Sequence, residues 1–332
     1  MGARKIATVL GGGGFVGRYV VQNLARAGYE VRVASRRPDL TARLRTLGRV
    51  GQIAPFYASV LDDASITCAV QGADVVINLV AVLSSIRQQT LQAINVEGAG
   101  RVARIAAEEK VPMFVQMSAL GASETALSDY AKSRAAGEKA VRQYRPDAVI
   151  IRPSVIFGPE DHFFNMFAGL ARYLPCLPVY GAQSRLQPVY VGDVAKAVFM
   201  ATQSPAFAGK ELLLGGPQEM TMLDIARFVL RVTRRHKPIF IVPSVLAKLQ
   251  AMVLERLPGH FLTQDQLRML ATDNIVPEGK SGFDVLNVVP QSVPAIVPSY
   301  LARFKVGEAQ KRYICSCIMG WQQKGPKKYL FI

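Results

Sequence analysis

A chain of 332 residues, half of them hydrophobic, is long enough for one large domain or for one domain and a smaller companion. Its 40 Lys and Arg stand against 24 Asp and Glu, a formal charge of +16, which favours phosphates or an anionic membrane surface as partners. No basic run interleaves with aromatic residues in the body of the chain, so no nucleic-acid partner is expected.

The first 150 residues alternate short apolar runs with amphipathic stretches. The apolar runs are Ile6–Leu10, Val31–Ala34, Val75–Val80, Met113–Met117 and Ala148–Ile151. Between them, Val16–Ala27 places Val20, Val21 and Leu24 on one helical face, and Ile94–Glu109 has similar spacing. This alternation predicts an α/β fold: a Rossmann-type, doubly wound parallel sheet over residues 1–152. After Arg152-Pro153 prolines become frequent, while helical spacing persists at Phe163–Tyr173, Val194–Thr202 and Met222–Thr233. Residues 153–306 are therefore expected to form a smaller C-terminal α/β lobe interleaved with the first. Within it, Pro238–Pro258 gathers Val245, Leu246, Leu249, Met252 and Val253 on one face, with Lys248, Gln250 and Glu255 opposite. The spacing predicts a core-facing helix, with an interfacial or partner-binding helix as the alternative.

From Arg303 to Ile332 seven Lys and Arg face a single Glu, so residues 307–332 read as a basic, poorly ordered tail. The four cysteines are Cys68, Cys176, Cys315 and Cys317. The C-x-C pair has no second pair and no histidines beside it, so free thiols and no metal site are expected. His162, after Glu160-Asp161, reads as a surface turn. The first strand opens near Lys5, so no presequence is expected. No apolar run reaches the roughly 18 to 20 residues that a membrane crossing needs. A soluble or peripheral protein of the bacterial cytoplasm, on the inner face of the plasma membrane, is the expectation.

The strongest motif closes the first strand. Gly11-Gly12-Gly13-Gly14-Phe15-Val16-Gly17 lies between strand Ile6–Leu10 and a helix, and it satisfies both G-x-x-G-x-x-G and G-x-G-x-x-G. Glycines allow the tight turn and let backbone N–H groups approach a pyrophosphate, which also meets the positive end of the helix dipole. Gly11, Gly12, Gly14, Phe15, Val16 and Gly17 are therefore candidate cofactor-binding residues. At the end of the second strand, a site for NAD carries a carboxylate for the ribose hydroxyls. This chain has Ser35-Arg36-Arg37 there. Guanidinium groups suit a 2′-phosphate in charge and geometry, so NADP(H) is favoured over NAD(H).

Further stretches carry a resemblance. They are Leu-Asp-Asp-Ala-Ser-Ile around Asp62, Gly-Ala-Asp-Val-Val-Ile-Asn-Leu-Val-Ala over 72–81, Asn95-Val-Glu-Gly, and Met117-Ser-Ala-Leu-Gly. Together with the glycine loop they resemble the extended and atypical short-chain dehydrogenase/reductase superfamily. Arg-Pro-Ser-Val-Ile-Phe-Gly-Pro-Glu-Asp (152–161) and Gln-Pro-Val-Tyr-Val-Gly-Asp-Val (187–194) look like the bacterial form of the nucleotide-binding accessory subunits of respiratory complex I. The resemblance spans about residues 5 to 305. It implies an assembly role among complex I subunits near the quinone-reaction region, and a cofactor also met by Asn78, Val80, Ala81, Ser118 and Tyr130.

The superfamily's chemistry uses Tyr-x-x-x-Lys and an upstream Ser: the Tyr moves the proton, the Lys supports it and the Ser orients a carbonyl. Ser118 and Tyr130 match, and Asn95 can support them. The position of the lysine holds Arg134, a wide planar fork in place of a point charge. Lys132 lies two positions from Tyr130 and points elsewhere on the helix. A non-catalytic subunit is thus favoured. An active reductase or epimerase linked to quinone biosynthesis and an NADPH-binding redox sensor are the alternatives. Arg152 and Asp193 are expected to make structural hydrogen bonds joining the lobes.

Overall fold

The computed structural model describes residues 5–85, 89–254 and 263–306. The basic tail from residue 307, with Cys315, Cys317 and Trp321, lies outside the described residues. The chain divides into two compact units, Met1–Ile156 with Gln187–Pro217 and Asn274–Gln291, and Phe157–Leu186 with Gln218–Asp273 and the remainder from Ser292.

The first unit is built on strands β1 (Ile6–Leu10), β2 (Glu30–Ser35), β3 (Ile53–Tyr57), β4 (Val75–Asn78), β5 (Met113–Met117), β6 (Val149–Pro153) and β7 (Glu211–Leu214). They form one parallel sheet in the order β7-β6-β5-β4-β1-β2-β3. Strand side chains alternate between two buried layers. Ala7, Val9, Val31, Val33, Val75 and Ile77 meet helices α1 (Phe15–Arg26) and α4 (Val191–Ala201), through Val20, Val21, Leu24, Val194 and Val198. Leu10, Ala34, Val76, Phe114 and Ile150 meet helices α2 (Ala99–Glu108) and α3 (Asp129–Tyr144) on the other layer, through Val102, Ala103, Ala106 and Val141. Both layers are dry, which is why the strands read as nearly continuous apolar runs.

Two strands were not legible as such. β3 (Ile-Ala-Pro-Phe-Tyr) mixes half-buried and exposed positions, and β7 comes from the second half of the chain yet pairs with β6, Leu212 opposite Ile151. The stretch expected to be one helix from Ile94 is a π-helical segment, Gln92–Gly98, running into α2. π-segments shift side-chain phase locally and concentrate at functional sites.

The ion pairs of Arg152 and the hydrogen bond of Asp193 stay inside the first unit; that unit takes in Glu211, so Arg152 links residues 1–152 to the later chain, whereas Asp193 does not. Arg152 Nε donates to Glu138 Oε1 at 2.9 Å, its Nη2 pairs with Glu138 Oε2, and its Nη1 meets Glu211 at 3.0 Å. Arg142 Nη2 reaches the other oxygen of Glu211 at 3.0 Å. This chain of charges ties α3, β6 and β7 together. Asp193 accepts the Gln291 backbone N–H at 2.6 Å, and burial pushes its carboxyl above the usual range. His162 is exposed beside the turn in which the Asp161 N–H bonds the Gly158 carbonyl.

In the second unit, strands Leu177–Val179 and Ile239–Ile241 pair in parallel, and helix Met222–Thr233 opens with a capping box of Thr221 and Asp224. Helix α5 (Ser244–Leu254) overturns the core-facing expectation. Ala247 and Ala251 are buried, whereas Val245, Leu246, Leu249 and Met252 are exposed. The small residues let the helix lie close to its unit, and the large apolar ones face away.

Glu138 is 5% exposed and its carboxylate is the main counterion of Arg152. Removing Glu138 leaves the Arg152 charge only the more exposed Glu211 as counterion, so Glu138→Ala is expected to cost up to about 3 kcal/mol in equilibrium denaturation, the low end for breaking a buried pair. Unchanged stability would show that Glu211 alone suffices for Arg152.

Candidate functional site

β1 pairs with β2 on one side and β4 on the other, so the chain direction around the sheet reverses at its carboxyl end, where doubly wound folds bind their ligands. The glycine turn sits at that point. Gly11 has φ +76°, a conformation that other residues adopt only with strain. Its carbonyl accepts the Gly14 N–H at 2.9 Å, which closes the turn. A Cβ on Gly17 would overlap the Gly11 carbonyl and lie 2.6 Å from Gly12 Cα, so the helix starts directly against the turn only because Gly17 has none. Gly14, the N-cap of α1, offers no capping side chain, and the first-turn amides of Phe15, Val16 and Gly17 are left for an external acceptor.

Beside the turn is a cleft of about 390 Å³ lined by Gly11, Gly13, Gly14, Ser35, Arg36, Arg37, Val80 and Ala81. Gly12, Phe15, Val16 and Gly17 belong to the turn and helix beneath it, where Val16 joins the core layer and the Phe15 ring meets Tyr19 edge to face. Residues that the sequence did not single out complete the cleft: Leu40 and Thr41, Ser59, Val60 and Leu61 after β3, and Gln89. The place of Ser59, Val60 and Leu61 depends on β3, whose weak pattern hid them. The glycine cradle, an uncapped helix start and a cationic rim fit a nicotinamide dinucleotide.

The two arginines of the rim differ. Arg37 grips Asp39 with two bonds, Nε to Oδ1 at 3.1 Å and Nη2 to Oδ2 at 2.9 Å. The hydrogen bond from Arg37, more than the charge alone, holds the Asp39 carboxyl below the usual range, and it raises Arg37 in turn. Arg36 makes no ion pair among the described residues and lines the cleft.

Asn78 and Asn95 do not line this cleft. Asn78 is buried, donates to Gln116 Oε1 at 2.9 Å and accepts the Val80 N–H at 3.2 Å. Asn95, in the π-helical segment, clamps the loop after β4: it accepts the Val82 N–H at 2.9 Å, donates to the Val82 carbonyl at 2.9 Å and donates to Ser133 Oγ at 3.0 Å. Both shape the loop that carries Val80 and Ala81.

At the end of β5, Ser118 and Arg134 come together. Ser118 is anchored by its N–H on the Ile151 carbonyl at 2.7 Å, and its buried Oγ has no hydrogen-bond partner among the described residues. Arg134 is 3% exposed and gives Nη2 to the carbonyl of Met117, next to Ser118, while its Nε is also unpartnered there. The guanidinium therefore bonds the strand end itself. Tyr130 is half-buried on the first turn of α3, and Lys132 is exposed two residues on. α3 can press against the Asn95 segment because residue 137 is glycine: a Cβ there would overlap the Asn95 carbonyl. Among the described residues no group of three His, Cys, Asp or Glu gathers as a metal site.

The profile of the NAD dependent epimerase/dehydratase family matches residues 7–215. The mitochondrial NADH dehydrogenase (ubiquinone) 1 alpha subcomplex subunit 9 of Dictyostelium discoideum is 34% identical over 240 residues, 72% of this chain and 67% of the relative. A ceramide reductase of Caulobacter vibrioides is 32% identical over 210 residues, 63% of this chain and 65% of the relative. Among solved structures, a nucleoside-diphosphate-sugar epimerase from Staphylococcus aureus superposes with a TM-score of 0.70 at 14% identity, over 89% of this chain and 99% of that one. At that identity the likeness is one of fold.

Arg134 generates a prediction. The unmodified chain is expected to turn over no common aldehyde or ketone with NADPH. Arg134→Lys, which releases the Met117 carbonyl and returns a point charge, is expected to raise NADPH oxidation above the blank by up to about a hundredfold, the lower range of general acid catalysis. Robust turnover by the unmodified chain contradicts this.

Proposed function

The chain belongs to the NAD-dependent epimerase/dehydratase family, and from that premise we propose that it is an NADP(H)-holding, non-catalytic accessory subunit of a membrane NADH:quinone oxidoreductase. The observation that carries the reading is Arg134, whose guanidinium is spent on the Met117 carbonyl where the superfamily's chemistry needs a lysine. Bound, the dinucleotide supplies a hydride at its nicotinamide end. The residues around that end in this chain hold a shape: Asn95 and Asn78 are committed to the loop after β4. The glycine turn takes the central pyrophosphate, and Arg36 takes the 2′-phosphate at the adenosine end. The similarity to complex I subunits of mitochondria supports the assignment of the partner. Among the described residues no helix is long and apolar enough to cross a membrane. The place that goes with the proposed partner is the inner face of a bacterial plasma membrane, reached through the partners and the surface of the chain.

A second reading, an active reductase of the short-chain dehydrogenase type, is favoured by the unpartnered Ser118 Oγ and by the reductase relative.

Titration with the two dinucleotides tests the cofactor. NADPH is expected to bind more tightly than NADH. Arg36→Ala should weaken NADPH about tenfold or more and leave NADH unchanged, in keeping with one charge-assisted hydrogen bond. Asp39→Ala, which releases Arg37, should tighten NADPH. Equal affinity for both nucleotides removes the phosphate-reading role. The partner is tested on native membranes washed in about 1 M salt, where screening acts within about 3 Å. The chain is expected to remain and to co-migrate with a large oxidoreductase, because buried apolar area is not screened. Complete release favours the free reductase.

A further inference from the structure

The second unit carries an apolar surface that the nucleotide site does not use. On α5, Val245 is 79% exposed, Leu249 60% and Met252 46%, with Leu246 at 44%. The strand before the helix adds Phe240 at 49% and Ile241 at 51%. Soluble monomers rarely leave that much contiguous apolar side chain in water without a partner. The helix is fixed in this attitude: Ala247 and Ala251 are buried beneath it, and Tyr180 Oη bonds Gln250 at 3.1 Å.

The charge around this surface is cationic in balance. Residues 225–254 carry six Lys and Arg and no Asp or Glu, with Asp224 and Glu255 just beyond their two ends, and Asp224 and Asp265 lie 3.8 Å from Arg227 and Arg268. Arg231, Arg234 and Lys248 are exposed. Arg172 and Tyr173 join them, because strand Leu177–Val179 pairs with Ile239–Ile241 and Lys237 Nζ bonds the Leu174 carbonyl. The Arg172 guanidinium lies 5.5 Å from the centre of the Tyr173 ring, which is 78% exposed. A cationic border around aliphatic and aromatic side chains matches anionic headgroups above an acyl boundary.

We propose that this face, α5 with strand Ile239–Ile241 and its arginine border, lies on an anionic lipid bilayer, the apolar side chains entering the acyl boundary and Arg172, Arg234 and Lys248 meeting lipid phosphates. The proposal deepens the peripheral-membrane part of the function above. Purified chain and vesicles test it with no oxidoreductase present, so its failure and that of the complex assignment are separate results.

The experiment is co-sedimentation of the full chain with phosphatidylcholine vesicles, with and without phosphatidylglycerol. The chain is expected to sediment with the anionic vesicles and to bind neutral ones far more weakly. The triple variant Leu246→Gln, Leu249→Gln, Met252→Gln should lose most of the binding to anionic vesicles. The triple variant Arg172→Gln, Arg234→Gln, Lys248→Gln should lose about a hundredfold, one lipid-facing charge at a time. Both variants should melt at the temperature of the unmodified chain and bind NADPH as it does, which separates surface loss from unfolding. No binding to anionic vesicles overturns the proposal. So does binding that survives both sets of substitutions, which would place the attraction in the basic stretch from residue 307. If the unmodified chain is a dimer that the leucine variant converts to a monomer, the occupant is a second copy and the proposal falls.

Discussion

Gly17 begins its helix against the turn that ends β1, with no space for even a methyl group between α1 and the Gly11 and Gly12 backbone. That approach points the uncapped helix start at the reversal point of the sheet, where an external anion is the natural acceptor for its amides. The rest of the first unit is arranged around it. The core layer of α1 and α4 fixes the helix on one face of β1, and the layer of α2 and α3 fixes the loop after β4 on the other. The cleft is the gap between these two constraints, and its floor is backbone. A site made in this way tolerates change in its side chains, so one fold carries dehydrogenases, epimerases and subunits that only hold a nucleotide.

At the end of β5 the site is built from fixed parts. Asn95 clamps the loop after β4, Gly137 lets α3 close on the Asn95 segment, and Ser118 stands at the strand end. The cation that α3 brings there is Arg134. Arg134 meets the strand end through Met117 and becomes part of the wall. The fork of a guanidinium fixes the direction of its bonds, where a lysine offers a point charge. Arg134 therefore keeps a positive charge beside Ser118 and turns it to the strand end, and the proposal of a non-catalytic chain rests on that difference in geometry.

The glycine motif, the five early apolar runs and the reversal of the carboxylate to Ser35-Arg36-Arg37 were all legible, because each is local: a turn, a buried strand, a residue at a known offset. β7 was not, since its pairing with β6 joins residues some sixty apart and its short apolar run has no local signal beyond length. The contributions of Ser59, Val60 and Leu61 were hidden with β3. The difference between Arg36 and Arg37 was hidden too, although Asp39 stands two residues away, because identical side chains separate only when their partners are known. For α5 the periodicity was legible, and of its two directions the core-facing one is overturned while the outward one fits. A stripe of large apolar residues identifies a face, and only the neighbours decide whether that face is inside. The alternation with alanine was the available clue, since Ala247 and Ala251 fit where the helix lies close to its unit.

In the proposed function the chain keeps a dinucleotide without spending it. The most direct test is to purify the full chain from its own membranes, release its nucleotide by denaturation and identify it, after incubating half of the sample with a quinone. One NADP(H) per chain, retained through purification and in the same oxidation state with or without quinone, is the predicted result. A chain that carries NAD(H), loses its nucleotide on dilution, or has it oxidised by the quinone would contradict the account.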